Sequence, residues 1–278
     1  MTNHIKDKVI VVTGAASGFG KLVSEKTAAQ GAHVVCADVD EVQLQATTQS
    51  IRDDTGSVLG VVTDVTQLDQ VTRLTQQALE RFGRIDVMVN NAGVMPLAFY
   101  SDHAEAAATW SRCIDVNIKG VLNGIMAVYN PMMQQGRGHI INVSSIYGNY
   151  PVVGAGVYGA TKAAVNFLSE SLRMETQGRI KVTIVKPTGV PGTGLGSGVV
   201  NQGAIVGILG HNAPRYLQMM QAHAAGELPP QHADVDSVEY YALEPEYLAD
   251  QIVYAINQPW GVSIGDVTVR ATGDAYIL

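Results

Sequence analysis

Short β-branched runs alternate along this chain with amphipathic stretches of helical length. KVIVVTG (8–14) is apolar on both faces and closes on a glycine. FGKLVSEKTAAQGA (19–32) has helical periodicity and stops at Gly31. HVVCADV (33–39) is a second strand, and DEVQLQATTQSIRDDTG (40–56) a second helix capped by Asp40. VLGVVTDV (58–65) and IDVMVNNAG (85–93) are the third and fourth strands, separated by a helix through 68–83. Beyond them the pattern predicts a long helix over 109–136, bent near Pro131. A strand follows over 138–145, a helix over 157–178, a strand over 180–187 and a last strand near 266–271. Strands apolar on both faces, each followed by a helix, imply a parallel sheet covered on both sides. The expected class is α/β: a doubly wound, Rossmann-like parallel sheet in three layers, one domain spanning 1–278.

One segment breaks the rhythm. Residues 189–210 hold eight glycines in 22 positions. This stretch is either a flexible surface loop or the start of a mobile lid over a pocket, about 189–240. The second reading is preferred because the segment follows the carboxyl end of a strand.

Bulk composition narrows the classes. At 278 residues and 46% hydrophobic, the chain can bury a large core. A net charge of −7 with no basic stripe argues against nucleic acid. The opening MTNHIKDK has no apolar signal region, and no apolar run reaches the ~20 residues of a membrane span, so a cytoplasmic protein is expected. Cys36 and Cys113 lie far apart and are read as a reduced pair rather than a disulfide. The seven histidines show no metal-ligand spacing, so no metal is expected.

The first strand runs into TGAASGFG, which places Gly14, Gly18 and Gly20 at a strand-to-helix turn, with Ser17 and Phe19 among them. Such a turn lets the backbone approach a pyrophosphate while the helix start offers unpaired N–H groups. Asp38 ends the second strand, 18 residues after Gly20. A carboxylate there can accept from both hydroxyls of an adenosine ribose and repels a 2′-phosphate. No Lys or Arg occurs in 13–20 or 38–45 to welcome that phosphate, so NAD is the expected cofactor. Asp64 can accept from an adenine amino group with Val65 against the ring; a plain turn aspartate fits the spacing as well.

Taken together, these residues resemble the short-chain dehydrogenases/reductases over roughly 5–190. The family's TGxxxGxG pattern stands at Thr13–Gly20 and its NNAG motif at Asn90, Asn91, Ala92 and Gly93. The helix asparagine of the family stands at Asn117, its serine at Ser145 and its YxxxK at Tyr158 and Lys162. The resemblance implies that Tyr158 exchanges a proton with the substrate oxygen and that Ser145 hydrogen-bonds that oxygen, with Ser144 as the neighbouring alternative. It further implies that Lys162 holds the nicotinamide ribose, and that Asn117 holds a water linking the lysine to solvent. Asn91, Ala92 and Gly93 are expected at the cofactor, as are Pro187, Val190 and Thr193 after the sixth strand. There the chain departs from the family, reading KPTGVPGTG where a Pro-Gly pair is usual. The tail VRATGDAYIL also differs, and lines either the substrate site or a subunit contact.

The tyrosine–lysine spacing has a chemical reason. A free phenol, with a pKa of about 10, is a poor base at neutral pH. A lysine one helical turn away, together with an oxidised nicotinamide, is expected to draw it toward working pH. The function implied is interconversion of a secondary alcohol and a ketone. Candidate pocket residues are Met95, Tyr147 and Tyr150, with Val190 and the lid. With no arginine clamp at the reacting centre, an apolar small-molecule substrate is expected. Two alternatives remain open: an NAD-sensing regulator without turnover, and an NADP-dependent ketone or enoyl reductase. The resemblance also implies a homodimer or homotetramer.

Overall fold

The computed structural model describes residues 2–55, 57–241 and 243–277. Seven parallel strands form one sheet: β1 (Val9–Thr13), β2 (His33–Asp38), β3 (Val58–Val62), β4 (Val87–Asn90), β5 (Gly138–Val143), β6 (Ile180–Pro187) and β7 (Asp266–Val269). Their order is β3-β2-β1-β4-β5-β6-β7, so the direction of winding reverses between β1 and β4. A parallel sheet places its functional loops at the strands' carboxyl ends, with the main crevice at such a reversal. Here the carboxyl ends of β1, β4, β5 and β6 lead into Gly14, Asn91, Ser144 and Thr188.

Between the strands run α1 (Gly18–Ala29), α2 (Glu41–Thr55), α3 (Leu68–Phe82), α4 (His103–Ile114), α5 (Gly120–Gln135) and α6 (Gly156–Glu175). Beyond β6 come α7 (Val206–Leu209), α8 (Ala213–Ala225), α9 (Pro230–Ala233) and α10 (Pro245–Ile256). One core joins α1, α2 and α10 to one sheet face, through Val23, Leu44, Ile51 and Ile252. The other joins α3, α5 and α6 to the opposite face, through Leu74, Val128 and Val165. The expected three layers are therefore present. β1, β4 and β5 are buried along their whole length, whereas β7 alternates exposed and half-buried as an edge strand does.

Two expectations change. The helix expected over 109–136 begins at His103 and is interrupted at Asp115–Lys119 by a single π turn. The irregularity thus falls at Asn117, while Pro131 sits inside α5. The glycine-rich lid is not an open loop beyond Leu195. Short 3-10 turns and α7–α9 fold it into a helical excursion against the cavity, anchored by buried Ala204, Ile208, Leu209 and Met219. α7 and α9 have four residues each, too few for a helical period to show in the sequence. Cys36 and Cys113 are both free and buried. Among the described residues no helix is long and apolar enough to cross a membrane.

Candidate active site

The loop after β1 is held from both sides. Asn91 donates from Nδ2 to the carbonyls of Thr13 at 2.9 Å and Gly14 at 3.1 Å. The Thr13 hydroxyl accepts the N–H groups of Asn91 and Ala92 at 3.1 and 3.2 Å. Asp38 accepts from the Ala16 N–H at 3.0 Å and from the Asp40 N–H at 3.1 Å, tying the end of β2 to the same loop. Gly14 and Gly18 adopt positive φ (67° and 51°), which lets the chain turn directly into α1. A Cβ on Gly20 would overlap the Gly14 carbonyl and the Asn91 side chain, so only glycine fits there. Ser17 opens α1 without a side-chain cap, leaving the first-turn N–H groups as free donors.

The second half of the site is built on β5 and α6. Asn90 donates to Asn142 at 2.8 Å, and Asn142 donates to Ser169 on α6 at 2.8 Å. This buried chain of amides fixes α6 against the strand ends. Tyr158 lies in the first turn of α6, with Lys162 one turn on. The ammonium is 5.7 Å from the phenol ring centroid and donates to the Val143 carbonyl at 2.8 Å. Ser145 accepts the Tyr147 N–H at 3.2 Å, and its side chain is close enough to the Tyr158 phenol to favour the ionised form. Ser144 is committed elsewhere, donating to the Lys162 carbonyl at 3.0 Å, which favours Ser145 over Ser144 for a substrate oxygen. Asn117 is fully buried. Its amide accepts the Val94 N–H at 3.0 Å and donates to the Val94 carbonyl at 3.0 Å and to Thr161 at 3.1 Å. The π turn presents Asn117 in this position, a common use of such turns.

The electrostatics correct one expectation. Burial pushes the Tyr158 phenol above its ordinary value, offset only in part by the Ser145 hydrogen bond. Burial also lowers the Lys162 ammonium to about 8. In the protein alone the phenol therefore stands above its ordinary value because desolvation outweighs its neighbours; the expected depression counted on an oxidised nicotinamide beside it as well.

One cavity of about 640 Å³ runs from the glycine loop to the phenol. Gly14, Ser17, Gly18, Phe19, Asp38, Asp64 and Val65 line its nucleotide end, and Asn91, Ala92, Gly93, Pro187, Val190 and Thr193 its middle. Ser145, Tyr158, Lys162, Met95 and Tyr147 line the reacting end. Gly20 and Asn117 lie beneath the wall and support it. Tyr150 is a correction: it is 62% exposed and does not line the cavity. The turn after Ser145 directs Tyr147 inward, and the chain has left the cavity by Tyr150. Sequence reasoning placed the lid and the tail near the pocket without singling out Tyr216, Asp274 and Tyr276, and it missed Tyr241; all four line the cavity. The departure of the tail from the family pattern was the available signal.

Comparison with known proteins agrees with this geometry. The family model for short chain dehydrogenases matches residues 8–204. The chain belongs to the short-chain dehydrogenase/reductase family. An uncharacterized oxidoreductase of Staphylococcus saprophyticus is 33% identical over 274 residues, covering 98% of this chain and 99% of the relative. Another, from Listeria monocytogenes, is 34% identical over 272 residues, covering 98% and 99%. Among solved structures, a family member from Burkholderia phymatum in complex with NAD superposes with a TM-score of 0.74 at 28% identity, covering 96% of this chain and 90% of that one. A metagenomic member in complex with NADP gives 0.72 at 27%, covering 96% and 99%. The chain is thus an oxidoreductase of this family, whose members bind nicotinamide dinucleotides.

Proposed function

We propose that the protein is an NAD-dependent secondary alcohol dehydrogenase/ketone reductase with Tyr158 as its general acid/base. The observation that carries this reading is the continuity of one cavity from the uncapped start of α1 to the Tyr158–Ser145–Lys162 cluster. The residues fit a dinucleotide. The free N–H groups of Gly18 and Phe19 suit a pyrophosphate, Asp38 suits the adenosine ribose, and Lys162 suits the second ribose. When bound, the cofactor supplies the hydride acceptor or donor and, when oxidised, a positive charge beside the phenol.

The chain's own residues manage the proton. Ser145 holds the substrate oxygen against Tyr158. In oxidation the ionised phenol takes the hydroxyl proton; in reduction the neutral phenol gives its proton to the developing alkoxide. Lys162 and Asn117 supply the route by which that proton is exchanged with solvent. Because the phenol begins above its usual pKa, alcohol oxidation should rise with pH while ketone reduction should not.

NAD is favoured over NADP by the charges at the nucleotide end, Asp38 and Asp64. The only cations lining the cavity among the described residues are Arg112 and Lys162. Exposed apolar side chains on α5 and α6, such as Met126 and Phe167, support pairing of subunits through those helices. The deciding assay mixes the protein with NAD or NADP and a panel of secondary alcohols while absorbance at 340 nm is followed. Reduction of NAD is expected; binding without reduction would identify a sensor, and a preference for NADP would overturn the cofactor assignment.

A further inference from the structure

Thr161 stands between Tyr158 and Lys162 on α6 and is fully buried. Its hydroxyl donates to the Tyr158 carbonyl at 2.7 Å. The same oxygen accepts from Asn117 Nδ2 at 3.1 Å. Both directions are forced, because a carbonyl only accepts, an amide nitrogen only donates, and a hydroxyl has a single hydrogen to give. The Cys113 thiol, 3.9 Å from that hydroxyl, is the weaker contact. The Asn117 amide is not free to turn round, since its Oδ1 accepts the Val94 N–H at 3.0 Å. Hydrogen bonds therefore run in one sense from the loop after β4 to the first turn of α6: Val94 donates to Asn117, Asn117 to Thr161, and Thr161 to the carbonyl of Tyr158.

Asn117 and Thr161 have no exposed surface, so neither can replace a lost partner with bulk water. A buried donor left without an acceptor is costly, which ties the position of the amide to that of the hydroxyl. Asn117 Nδ2 has two further acceptors, the Val94 carbonyl at 3.0 Å and Cys113 Sγ at 3.2 Å, and neither lies on α6. Asn117 also sits in the π turn Asp115–Lys119, where the regular helical ladder is broken and side-chain contacts help to hold the turn. α6 has other anchors: Ser144 donates to the Lys162 carbonyl at 3.0 Å, and Asn142 to Ser169 at 2.8 Å. Loss of the Thr161 hydroxyl thus releases Asn117 from the helix without releasing the helix from the sheet.

We propose that Thr161 is a positioning residue for the proton route: its hydroxyl fixes Asn117 against the Tyr158 turn, and this keeps the phenol's proton in exchange with solvent through Asn117 and Lys162. The role rests on the alcohol/ketone reading above, which supplies the proton. No bond to substrate forms at Thr161. Without the hydroxyl, the phenol must give its proton to hydroxide directly. Hydroxide becomes scarcer as pH falls, so the defect grows toward neutral pH.

The test follows NAD-dependent oxidation of propan-2-ol, cyclohexanol and 1-phenylethanol from about pH 6 to about pH 10. Wild type is compared with Thr161→Val, Thr161→Ala and Thr161→Ser, with NAD affinity measured by calorimetry. Thr161→Ala places no methyl against the amide, which keeps the test open where Thr161→Val is too crowded to fold. In both, kcat near neutral pH should fall about tenfold while NAD affinity changes less than about twofold. The midpoint of the kcat profile should rise by about one pH unit, the equivalent of a tenfold loss on its acid limb, and kcat at the alkaline end should approach wild type. Thr161→Ser keeps the donor and the acceptor and should restore both values. A loss equal at every pH, a wild-type profile in Thr161→Val and Thr161→Ala, a matching loss of NAD affinity, failure of both variants to fold, or failure of serine to restore the profile would each overturn this role alone. A wild type that binds NAD and oxidises none of the three alcohols would overturn the dehydrogenase reading, and this role with it.

Discussion

The two ends of the cavity are built differently. At the nucleotide end, backbone and short polar side chains do the positioning: Thr13, Asn91 and Asp38 hold the glycine loop through hydrogen bonds of 2.9 to 3.2 Å. Every strand that feeds this end is interior to the sheet or backed by a helix. At the substrate end, large rings from distant segments meet around a glycine-rich chain, with few polar ties between them. The first arrangement suits groups common to all dinucleotides, for which oriented N–H groups and one carboxylate suffice. The second carries its rings on a turn after β5, on α8, on the segment before α10 and on the tail, where they can be exchanged without disturbing the sheet. A hydrogen-bonded end and an aromatic end thus lie on opposite sides of Tyr158.

Substitutions should separate the two ends. The largest effect is expected at the junction. Tyr158→Phe should lower kcat by about 10³-fold while NAD affinity changes less than about twofold; steady-state kinetics and calorimetry read both, and near wild-type turnover would remove the proton-transfer role. Next, Gly20→Ala would drive a Cβ into the Gly14 carbonyl. NAD affinity should fall by about 100-fold and stability by about 1–3 kcal/mol, measured by calorimetry and thermal melting. Unchanged NAD binding would separate the loop from the phosphates. Asp38→Ala should weaken NAD by about 10- to 100-fold and narrow its lead over NADP, since a charged hydrogen-bond acceptor is lost.

A smaller effect is expected at the substrate end. Gly189→Ala forces Tyr276 to move and should cost about tenfold in kcat/KM for the alcohol, with a smaller change in NAD affinity. An equal loss for both ligands would show that the two ends are not independent.

The smallest effect is a slope with pH. Unfolded lysine keeps its proton to about 10.4, whereas folded Lys162 releases it near 8. Between these values the unfolded chain binds more protons, so stability rises with pH across this window and is flat below it. Lys8 and Lys181, also lowered to about 8 by burial, titrate in the same window at the amino ends of β1 and β6. Lys162→Met should therefore reduce the rise in melting temperature between pH 8 and 10 without abolishing it. An identical slope in the variant would mean that Lys162 is not desolvated.

Much of this was legible in the chain itself. Apolar runs such as VIVVT between helix-length segments determined the parallel sheet, because burial on two faces demands continuous hydrophobicity. The glycines at 14, 18 and 20 and the pairing of Tyr158 with Lys162 are constraints between near neighbours, so they appear as spacing in the sequence. Four features were decided only in three dimensions. The π turn at Asn117 depends on an amide that grips Val94 on a different segment. The helices α7 and α8 after β6 are anchored by Ile208, Leu209 and Met219, which pack with distant segments beside the cavity. The phenol's raised pKa reflects the dielectric of a completed interior, which no adjacent residue reveals. The tyrosines at 147, 216, 241 and 276 line one cavity, a convergence with no periodicity to announce it. Local geometry is written between neighbours along the chain; desolvation and the shape of a pocket arise only when distant parts of it exclude water together.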